Sequence, residues 1–420
     1  MSDFIGAGVF SDNPAQLAGD VALSSLGVSG SLGGTLQPTQ LVADGVWTWF
    51  NEPRAIYQDG VTYIGWITSS GSVGVTSYTH ADDSLASFTL RASMETDDHD
   101  NPALYMRSDG RLLAAYAKHS ADGLGRYRIA TTAGSIAAWD AEQTISDSFV
   151  GYANLHYLAG DDLLYWHYRS GNTATRPRKG WASSDEGSTW GAGVNWINQT
   201  SQRPYTKTCD NGSRVDMVVT TGHPNEAATS IYHAYMQPSG GALQFYKSDG
   251  TLIGSSMAPA DGTRIYDGSS VDGWVWDIAY GADGNPWMLF ARYPATTDHR
   301  YMFSRWTGTA WTSPVEICAG GTYLYAAEAY YSGGLCFDGN DPTQVYVSVQ
   351  DGSAWEVQEY RTADSGATWS KHRDITSGSG SVKNCRPWSP RGHDGKLAVL
   401  WWRGTYTTYT SYNTSIWGAG

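Results

Sequence analysis

Two histidines close to carboxylates are the residues of this sequence best suited to acid–base chemistry. His99 lies in the run DDHDNP at residues 97–102, and His119 follows 20 positions later, after an apolar stretch. Imidazole gains and loses a proton near neutral pH, so two imidazoles that meet at one rim of a hairpin could transfer protons. The alternative is a turn in which the acids cap backbone amides and His99 is a structural hydrogen-bonding residue.

Further polar residues occur in three later clusters. They are distant from the histidines in sequence, so they can lie near them only if the fold brings them together. They are YANLH at 152–156, LLYWHYRSG at 163–171 and QRPYTK at 202–207. Alternation along a strand places Arg169 on the face opposite Tyr168, at a strand end where a guanidinium can meet a carboxylate. A surface ion pair is the other interpretation of Arg169.

A fourth cluster, GHPNE at residues 222–226, contains His223. A histidine beside a proline in such a loop either ligates a metal or braces the loop by hydrogen bonds, and the brace is the favoured interpretation. The four cysteines lie far apart and form no CxxC pair. They predict buried free thiols, with one long-range bridge or metal ligation as the alternative.

The elements that position these clusters are predicted to be β-strands. Short apolar runs, such as VTYIGWIT at 61–68 and LAVLWW at 397–402, alternate with turn pairs such as Asp109-Gly110, and helical periodicity is nearly absent. Two segments, SSDEGSTW at 183–190 and TADSGATW at 362–369, fit the pattern S/T-x-D-x-G-x-T-W. This pattern predicts a hairpin turn whose Asp accepts backbone N–H groups, whose Gly has a positive φ and whose Trp fills the gap between sheets.

The repeat resembles the Asp-box, or BNR repeat, of sialidases and other β-propellers. Its two aspartates are 179 positions apart, which corresponds to about three blades of roughly 40–60 residues each. The predicted fold is all-β, with a single propeller of seven four-stranded blades over residues 45–420 and an N-terminal arm over residues 1–44. A closed ring protects the strand edges that an open sheet would expose.

Charge and composition exclude several classes of function. The sequence has 27 Lys and Arg against 41 Asp and Glu, a formal net charge of −14, so a basic face for nucleic acid is not expected. It has no apolar run of about eighteen residues that could span a membrane. It also lacks GxSxG, HExxH, P-loop and GxGxxG signatures, and the arginine triad and Tyr/Glu pair of a sialidase are not recognisable.

Taken in order, the polar clusters resemble the BNR-4 group of seven-bladed propellers, which includes ulvan lyases of the polysaccharide lyase class. The resemblance covers about residues 45–418, and the segments DDHDNPAL and YRSG are its most specific parts. It implies that a substrate uronate is surrounded by His99, His119, Tyr152, Arg169 and Tyr205.

The resemblance also implies a chemical role for each residue. Eliminating a 4-O-linked uronate requires neutralisation of its carboxylate, removal of the C5 proton and protonation of the leaving oxygen. Arg169 and His119 would neutralise the carboxylate, His99 would be the base, and Tyr152 would be the acid or share the acid and base roles. Tyr152 is placed by its YxN context and its spacing from Arg169, so Tyr165 or Tyr168 could replace it.

Additional substrate contacts are expected from Asn101, Tyr168, Arg203 and Tyr205. No cofactor is required for the catalysis. A structural zinc or calcium ion is compatible with the resemblance, and His223 would be one ligand of a set that the sequence does not complete.

The expected function is that of a polysaccharide lyase that cleaves a uronic-acid-containing, ulvan-like polymer, sulfated or not, by β-elimination. Two other interpretations remain, a non-catalytic carbohydrate-binding propeller and a phage virion component such as a tail or spike. These functions predict an extracellular or virion-associated location, although the sequence begins without a recognisable signal peptide. The N-terminal arm could then serve self-association or docking on a virion.

Overall fold

The computed structural model describes residues 37–119, 122–171, 176–199, 201–239 and 242–420. Within these ranges all regular structure is β-strand, apart from two single-turn 3-10 helices at Asp98–Asp100 and Pro259–Asp261. Accordingly, none of the described segments is a helix of the length and apolarity that crossing a membrane demands. Most of the predicted N-terminal arm, residues 1–36, lies outside the described residues.

The first half of the fold comprises β1 and three four-stranded antiparallel sheets. Strand β1 is Thr39–Val42, and the first sheet contains β2 (Ala55–Gln58), β3 (Val61–Ile67), β4 (Val73–Thr79) and β5 (Ser84–Arg91). The second sheet contains β6 (Ala103–Met106), β7 (Leu112–Ala117), β8 (Leu124–Ile129) and β9 (Gln143–Ser146). The third sheet contains β10 (Gly151–Leu158), β11 (Leu163–Arg169), β12 (Arg178–Ser183) and β13 (Val194–Ile197).

The second half comprises a six-stranded, a four-stranded and an eight-stranded sheet. The six-stranded sheet contains β14 (Thr206–Asp210), β15 (Val215–Thr220), β16 (Ile231–Ser239), β17 (Ala242–Tyr246), β18 (Leu252–Gly254) and β19 (Thr263–Tyr266). The four-stranded sheet contains β20 (Asp272–Tyr280), β21 (Pro286–Ala295), β22 (Asp298–Arg305) and β23 (Val315–Gly321). The eight-stranded sheet contains β1, β24 (Leu335–Phe337), β25 (Gln344–Asp351), β26 (Ala354–Arg361), β27 (Ser370–Asp374), β28 (Lys383–Trp388), β29 (Val399–Thr408) and β30 (Ser411–Ala419).

The first strands of successive sheets pack side by side, β2 on β6, β6 on β10, β10 on β14, β14 on β20 and β20 on β24. The indole N–H of Trp388 in β28 donates to the carbonyl of Ala55 in β2 at 2.9 Å, and β1 pairs with β30 at the other chain end. The predicted all-β propeller is therefore confirmed, and its ring is closed by strands from both ends of the described chain.

The predicted number of seven separate four-stranded blades is wrong, because the described strands form six hydrogen-bonded sheets of unequal size. A parallel pairing of Trp355 with Lys383 joins β26 to β28 and merges two groups of strands into the eight-stranded sheet. The sequence repeat marks individual turns, so it carries no information on where neighbouring sheets fuse. Residues 39–42, which the sequence assigned to the arm, form β1 of this sheet.

The two Asp-box segments form the turns that their sequence predicts. In the second copy, both carboxylate oxygens of Asp364 accept from Thr368, Oδ1 from its backbone N–H at 2.8 Å and Oδ2 from its hydroxyl at 2.7 Å. Gly366 has φ +87°, and the Trp369 ring lies 5.2 Å from the ring of Phe303 in the preceding sheet. The first copy repeats this arrangement around Asp185, so each turn holds one sheet against its neighbour.

The inner core beneath the candidate site is built of aromatic rings. The ring of Phe50 lies 5.0 Å from that of Tyr152, 4.7 Å from that of Tyr205 and 5.6 Å from that of His99. Trp49 stacks on Trp276 at 4.3 Å. Burial of such large rings stabilises the inner strands and holds in place the backbone that carries the polar side chains of the site. All four cysteines are free thiols, as predicted.

We predict that Gly366→Ala lowers the free energy of unfolding by about 2–4 kcal/mol, because a Cβ there would overlap the Phe303 ring and force a strained backbone. Gly352→Ala is the matched control, since Gly352 also has a positive φ of 61° but has no atom within 4 Å of the added Cβ. The control is expected to cost about 1 kcal/mol. Equal losses in chemical denaturation would contradict the packing role of the turn.

Candidate active site

A single-turn helix holds the acidic and imidazole groups of the site in place. Asp97 caps this turn by accepting the backbone N–H of His99 at 3.0 Å. The next residue, Asp98, is buried and accepts from the guanidinium of Arg386 at 2.5 Å and from the hydroxyl of Tyr406. The cluster of acids noted in the sequence thus performs two tasks, since one carboxylate caps the turn and the next anchors it to β28.

One carboxylate connects the two histidines. Asp97 Oδ1 accepts from His99 Nδ1 at 2.6 Å, and Asp97 Oδ2 accepts from His119 Nδ1 at 2.8 Å. The two imidazole rings stack with their centroids 4.1 Å apart. Because a carboxylate can only accept, Nδ1 of each ring carries a proton, and Nε2 of His119 is the acceptor when that ring is neutral.

The two imidazoles differ in their access to solvent. His99 is only 1% exposed, and its Nε2 meets the hydroxyl of Tyr331 at 3.1 Å. The side chain of His119 is 21% exposed and lines a cavity of about 420 Å³. His119 is therefore the imidazole that a ligand can reach, and His99 stands behind it.

Electrostatics fix the protonation states of this cluster. Burial on its own would raise the pKa of Asp97, but attraction to His99 and the hydrogen bonds from both imidazoles lower it well below its usual range. Burial, followed by repulsion from His99, lowers the pKa of His119 to about 4. At neutral pH the site therefore holds an ionised Asp97 beside a neutral His119, which is the state a general base requires.

Arg169 and Tyr152 face each other across the start of β10 and the end of β11. The Arg169 Nη1 donates to the Tyr152 hydroxyl at 3.0 Å, and its guanidinium lies 4.4 Å from the Tyr152 ring centre. Tyr152 has φ 65°, next to an irregularity in the pairing of β10 with β11. Burial is the main cause that raises the pKa of Tyr152, so its hydroxyl keeps its proton.

Three arginines meet at this cavity, although the chain carries a formal net charge of −14. The residues that line it are Glu95, Thr96, Asp97, His119, Phe149, Arg169, Arg176, Arg203, Tyr409 and Thr410. Burial, together with repulsion from Arg203 and Arg169, lowers the pKa of Arg176. Arg203 is also paired with Glu226. Guanidinium groups gathered in this way are chemically suited to bind a carboxylate or a similar anion.

The structure brings together the main residues that the sequence singled out. Arg169, His119 and Arg203 line the cavity, and His99 stacks on His119. Tyr152 lies 5.9 Å from His119 by ring centroids. This convergence is the geometric condition on which the sequence interpretation depended.

Three other predicted substrate contacts lie elsewhere. Asn101 is buried and accepts the backbone N–H of Thr48 at 3.0 Å. Tyr168 stacks on Trp181 at 3.8 Å inside its own sheet, because strand alternation turns it away from the face of Arg169. Tyr205 is 3% exposed and packs on Phe50 below the cavity. None of the three lines the cavity, so their role as substrate contacts stays a prediction.

The metal interpretation of His223 finds little support in its surroundings. His223 Nδ1 accepts the backbone N–H of Asn225 at 3.0 Å, and its Nε2 lies 3.7 Å from a carboxylate oxygen of Glu328. Burial, followed by repulsion from nearby arginines including Arg203, lowers its pKa to about 2. Among the described residues, the one group with metal-ligand spacing is Asp97 with His99 and His119. The contacts of His223 thus fit a loop brace, and a structural zinc or calcium ion at this residue stays a prediction.

Sequence reasoning missed Asp97, Tyr331 and Tyr409 as site residues. Asp97 is adjacent in sequence to the DHD run, so its bridging role could have been proposed from the acid pattern alone. Tyr331 and Tyr409 come from distant loops, and the Tyr409 ring meets the rings of His99 and His119 edge-on at 5.1 and 5.7 Å. No local motif marks these two tyrosines in a chain with 27 of them.

Fold and site together define a β-propeller whose cavity combines three arginines with a carboxylate-bridged histidine pair. The family can be stated as well. Residues 61–316, more than half of the chain, match the BNR repeat-containing family BNR_4, and the chain belongs to that family. No protein with a curated description matches the sequence.

Solved structures confirm the fold at low sequence identity. The protein is similar to an ulvan lyase of polysaccharide lyase family PL25 in complex with -[GlcA(1-4)Rha3S]-, with a TM-score of 0.73, 11% identity, and coverage of 91% of this chain and 96% of the lyase. A second structure described as a PL25 ulvan lyase matches with a TM-score of 0.73, 12% identity and the same coverage. Similarity at this level of identity establishes the architecture.

We predict that His119 titrates with a pKa near 4 when its ring protons are followed by NMR, because burial disfavours the imidazolium. Asp97→Asn should lower this pKa further, since the Asp97 carboxylate is the group that favours the charged ring. Asp109→Asn, a surface carboxylate bonded to Arg111, should leave it unchanged. A His119 pKa near 6.5 in the wild-type protein would contradict the described environment.

Proposed function

We propose that the protein is a polysaccharide lyase that cleaves a uronic-acid-containing polymer by β-elimination. The observation that carries the proposal is the meeting of Arg169 with the carboxylate-bridged pair His99–Asp97–His119 at one cavity. A cation beside a neutral base is the combination that abstraction of a proton next to a carboxylate requires. The similarity of the fold to an ulvan lyase bound to -[GlcA(1-4)Rha3S]- supports the same chemistry.

In the proposed reaction, Arg169 binds the uronate carboxylate and stabilises the negative charge that develops on it. His119 Nε2 removes the C5 proton, the electron pair of the C–H bond forms the C4–C5 double bond, and the C4–O4 bond breaks. Tyr152 donates its hydroxyl proton to the departing O4. Its oxygen accepts from Arg169 at 3.0 Å, so the proposed acid lies directly beside the guanidinium that would hold the substrate carboxylate.

This assignment moves the role of base from His99, where the sequence interpretation had it, to His119. His99 is 1% exposed and both of its ring nitrogens already have partners. Its position behind His119 suits it to fix the Asp97 carboxylate and, through it, the tautomer of His119. The reverse assignment would require Tyr331 to leave His99 when substrate binds.

A non-catalytic carbohydrate-binding propeller is the second candidate function. The aromatic rings and the three arginines of the cavity would serve binding alone in that case. The histidine pair favours the lyase, since binding of an anion has no need of a neutral imidazole bridged to an ionised carboxylate. Under either function, we propose that the protein acts outside the cell or on a virion, where such polymers are met.

The test is incubation of the purified protein with ulvan and other uronate polymers, with the absorbance of the unsaturated product as readout. We predict product formation by the wild type and a loss of about 10²–10⁴-fold in kcat/KM for both His119→Ala and Arg169→Ala. Arg264→Ala, which removes an exposed arginine on β19, is the control and should retain full activity. Binding of a polymer without unsaturated product would favour the second candidate.

The choice of base and acid is tested by paired variants. With His119 as base, His119→Ala should abolish turnover, whereas His99→Gln should mainly lower kcat and shift the acid limb of the pH–rate profile. The acid limb should fall near pH 4 in the wild type, because His119 must be neutral to accept a proton. Tyr152→Phe should lose activity and Tyr409→Phe should retain most of it. A loss of activity in Tyr409→Phe but not in Tyr152→Phe would assign the role of general acid to Tyr409.

A further inference from the structure

A second cavity, of about 450 Å³, lies at the other end of the strands that carry the candidate active site. Strands β6, β10 and β14 contribute residues to the second cavity, and the segments that precede these strands contribute Asp97, Phe149 and Arg203 to the first. Residues 97–101, Tyr152 and Arg203 lie at or before the beginnings of these strands, whereas Met106, Tyr157 and Asp210 near their ends line the second cavity. At about 3.3 Å per residue, the two cavities are separated by roughly 15 Å along a strand.

The walls of the second cavity are aromatic rings whose polar atoms are satisfied elsewhere. The Tyr105 hydroxyl donates to Glu186 at 3.1 Å and the Tyr157 hydroxyl donates to Asp162 at 2.7 Å. The Trp388 indole N–H donates to a backbone carbonyl at 2.9 Å. These rings are half-buried, so they present fixed apolar faces to the cavity without an unpaired polar atom. A surface already held in position loses little entropy when a ligand stacks on it.

Polar groups suited to hydroxyl recognition lie among these rings. His156 Nδ1 lies 3.3 Å from Asp210 Oδ2, and His156 Nε2 meets the hydroxyl of Thr208 at 2.8 Å. Arg391 lies at the rim, with its guanidinium 3.6 Å from the Asp210 carboxylate. Small-molecule sites commonly combine apolar walls with a few such convergent polar groups.

The charges of this cavity compensate one another. The Glu52 carboxylate at its inner end pairs with the buried ammonium of Lys207, and Asp210 pairs with His156 and Arg391. This balance contrasts with the three arginines of the candidate active site, and it offers no excess positive charge to a uronate or a sulfate. The ligand that fits is one without net charge that combines an apolar face with hydroxyl groups.

We propose that the second cavity is a binding site for a neutral pyranose sugar, whose C–H face stacks on Tyr105, Tyr157 or Trp388 and whose hydroxyls bond to Asp210 and Arg391. The proposal concerns binding at a separate place on the fold and does not require the lyase activity. With it, the protein would hold two carbohydrate sites of different charge preference at opposite ends of the same strands.

The test is saturation-transfer NMR of the full chain with glucose, galactose, xylose, rhamnose and cellobiose, each as a single ligand. We expect at least one sugar to bind with a millimolar dissociation constant. Tyr157→Ala should weaken that binding at least about tenfold. Tyr246→Ala, which removes a half-buried tyrosine on β17, and His119→Ala in the candidate active site should both leave it unchanged.

Three results would overturn the proposal. The first is the absence of transfer to all five sugars, and the second is a signal that survives in Tyr157→Ala. The third is binding of an apolar probe such as indole, lost in Tyr157→Ala, without binding of any sugar; this would assign the cavity to an apolar ligand instead. Because the readout is binding of neutral sugars, failure here leaves the result of the lyase assay unaffected.

Discussion

The buried ion pair between Asp98 and Arg386 is the interaction on which the candidate active site depends. Arg386 donates to the Asp98 carboxylate at 2.5 Å, to the carbonyl of Trp47 at 2.9 Å and to the hydroxyl of Tyr406 at 2.9 Å. Both charged side chains are fully buried. A buried charge left without its partner typically costs about 3–5 kcal/mol, so the turn that carries His99 cannot move away from β28 without a large penalty.

This anchoring has a chemical consequence for the histidine pair. Asp97 precedes the anchored residue directly, and its two oxygens reach two imidazoles that differ in exposure. A carboxylate that rotated freely would accept a hydrogen bond from only one of the two rings at a time. Held by the turn, it fixes the proton on Nδ1 of both rings and thereby leaves Nε2 of His119 as the acceptor at the cavity. The fold therefore sets the protonation pattern as well as the positions.

The sequence predicted the parts of this arrangement that depend on local rules. The Asp-box turns follow from fixed spacings of Asp, Gly and Trp, and the all-β propeller follows from those turns. His99, His119 and Arg169 were found because each lies in a polar run that interrupts β-type patterning. Tyr331 and Arg386 were missed because they contribute from far along the chain, and nothing near them in sequence marks a site. The number of sheets was wrong because a single parallel pairing of Trp355 with Lys383, which has no sequence signature, fuses strands into one sheet.

The pairing of β1 with β30 sets Thr39 directly opposite Gly418. The pairing of these two strands thus closes the ring and brings the two ends of the described fold next to each other. A chain in which these two ends were linked, and which was opened instead at an exposed turn such as Asp351-Gly352, would keep every sheet intact. The fold therefore does not depend on the order of the strands along the chain. A circularly permuted protein of this kind should reach the same native state.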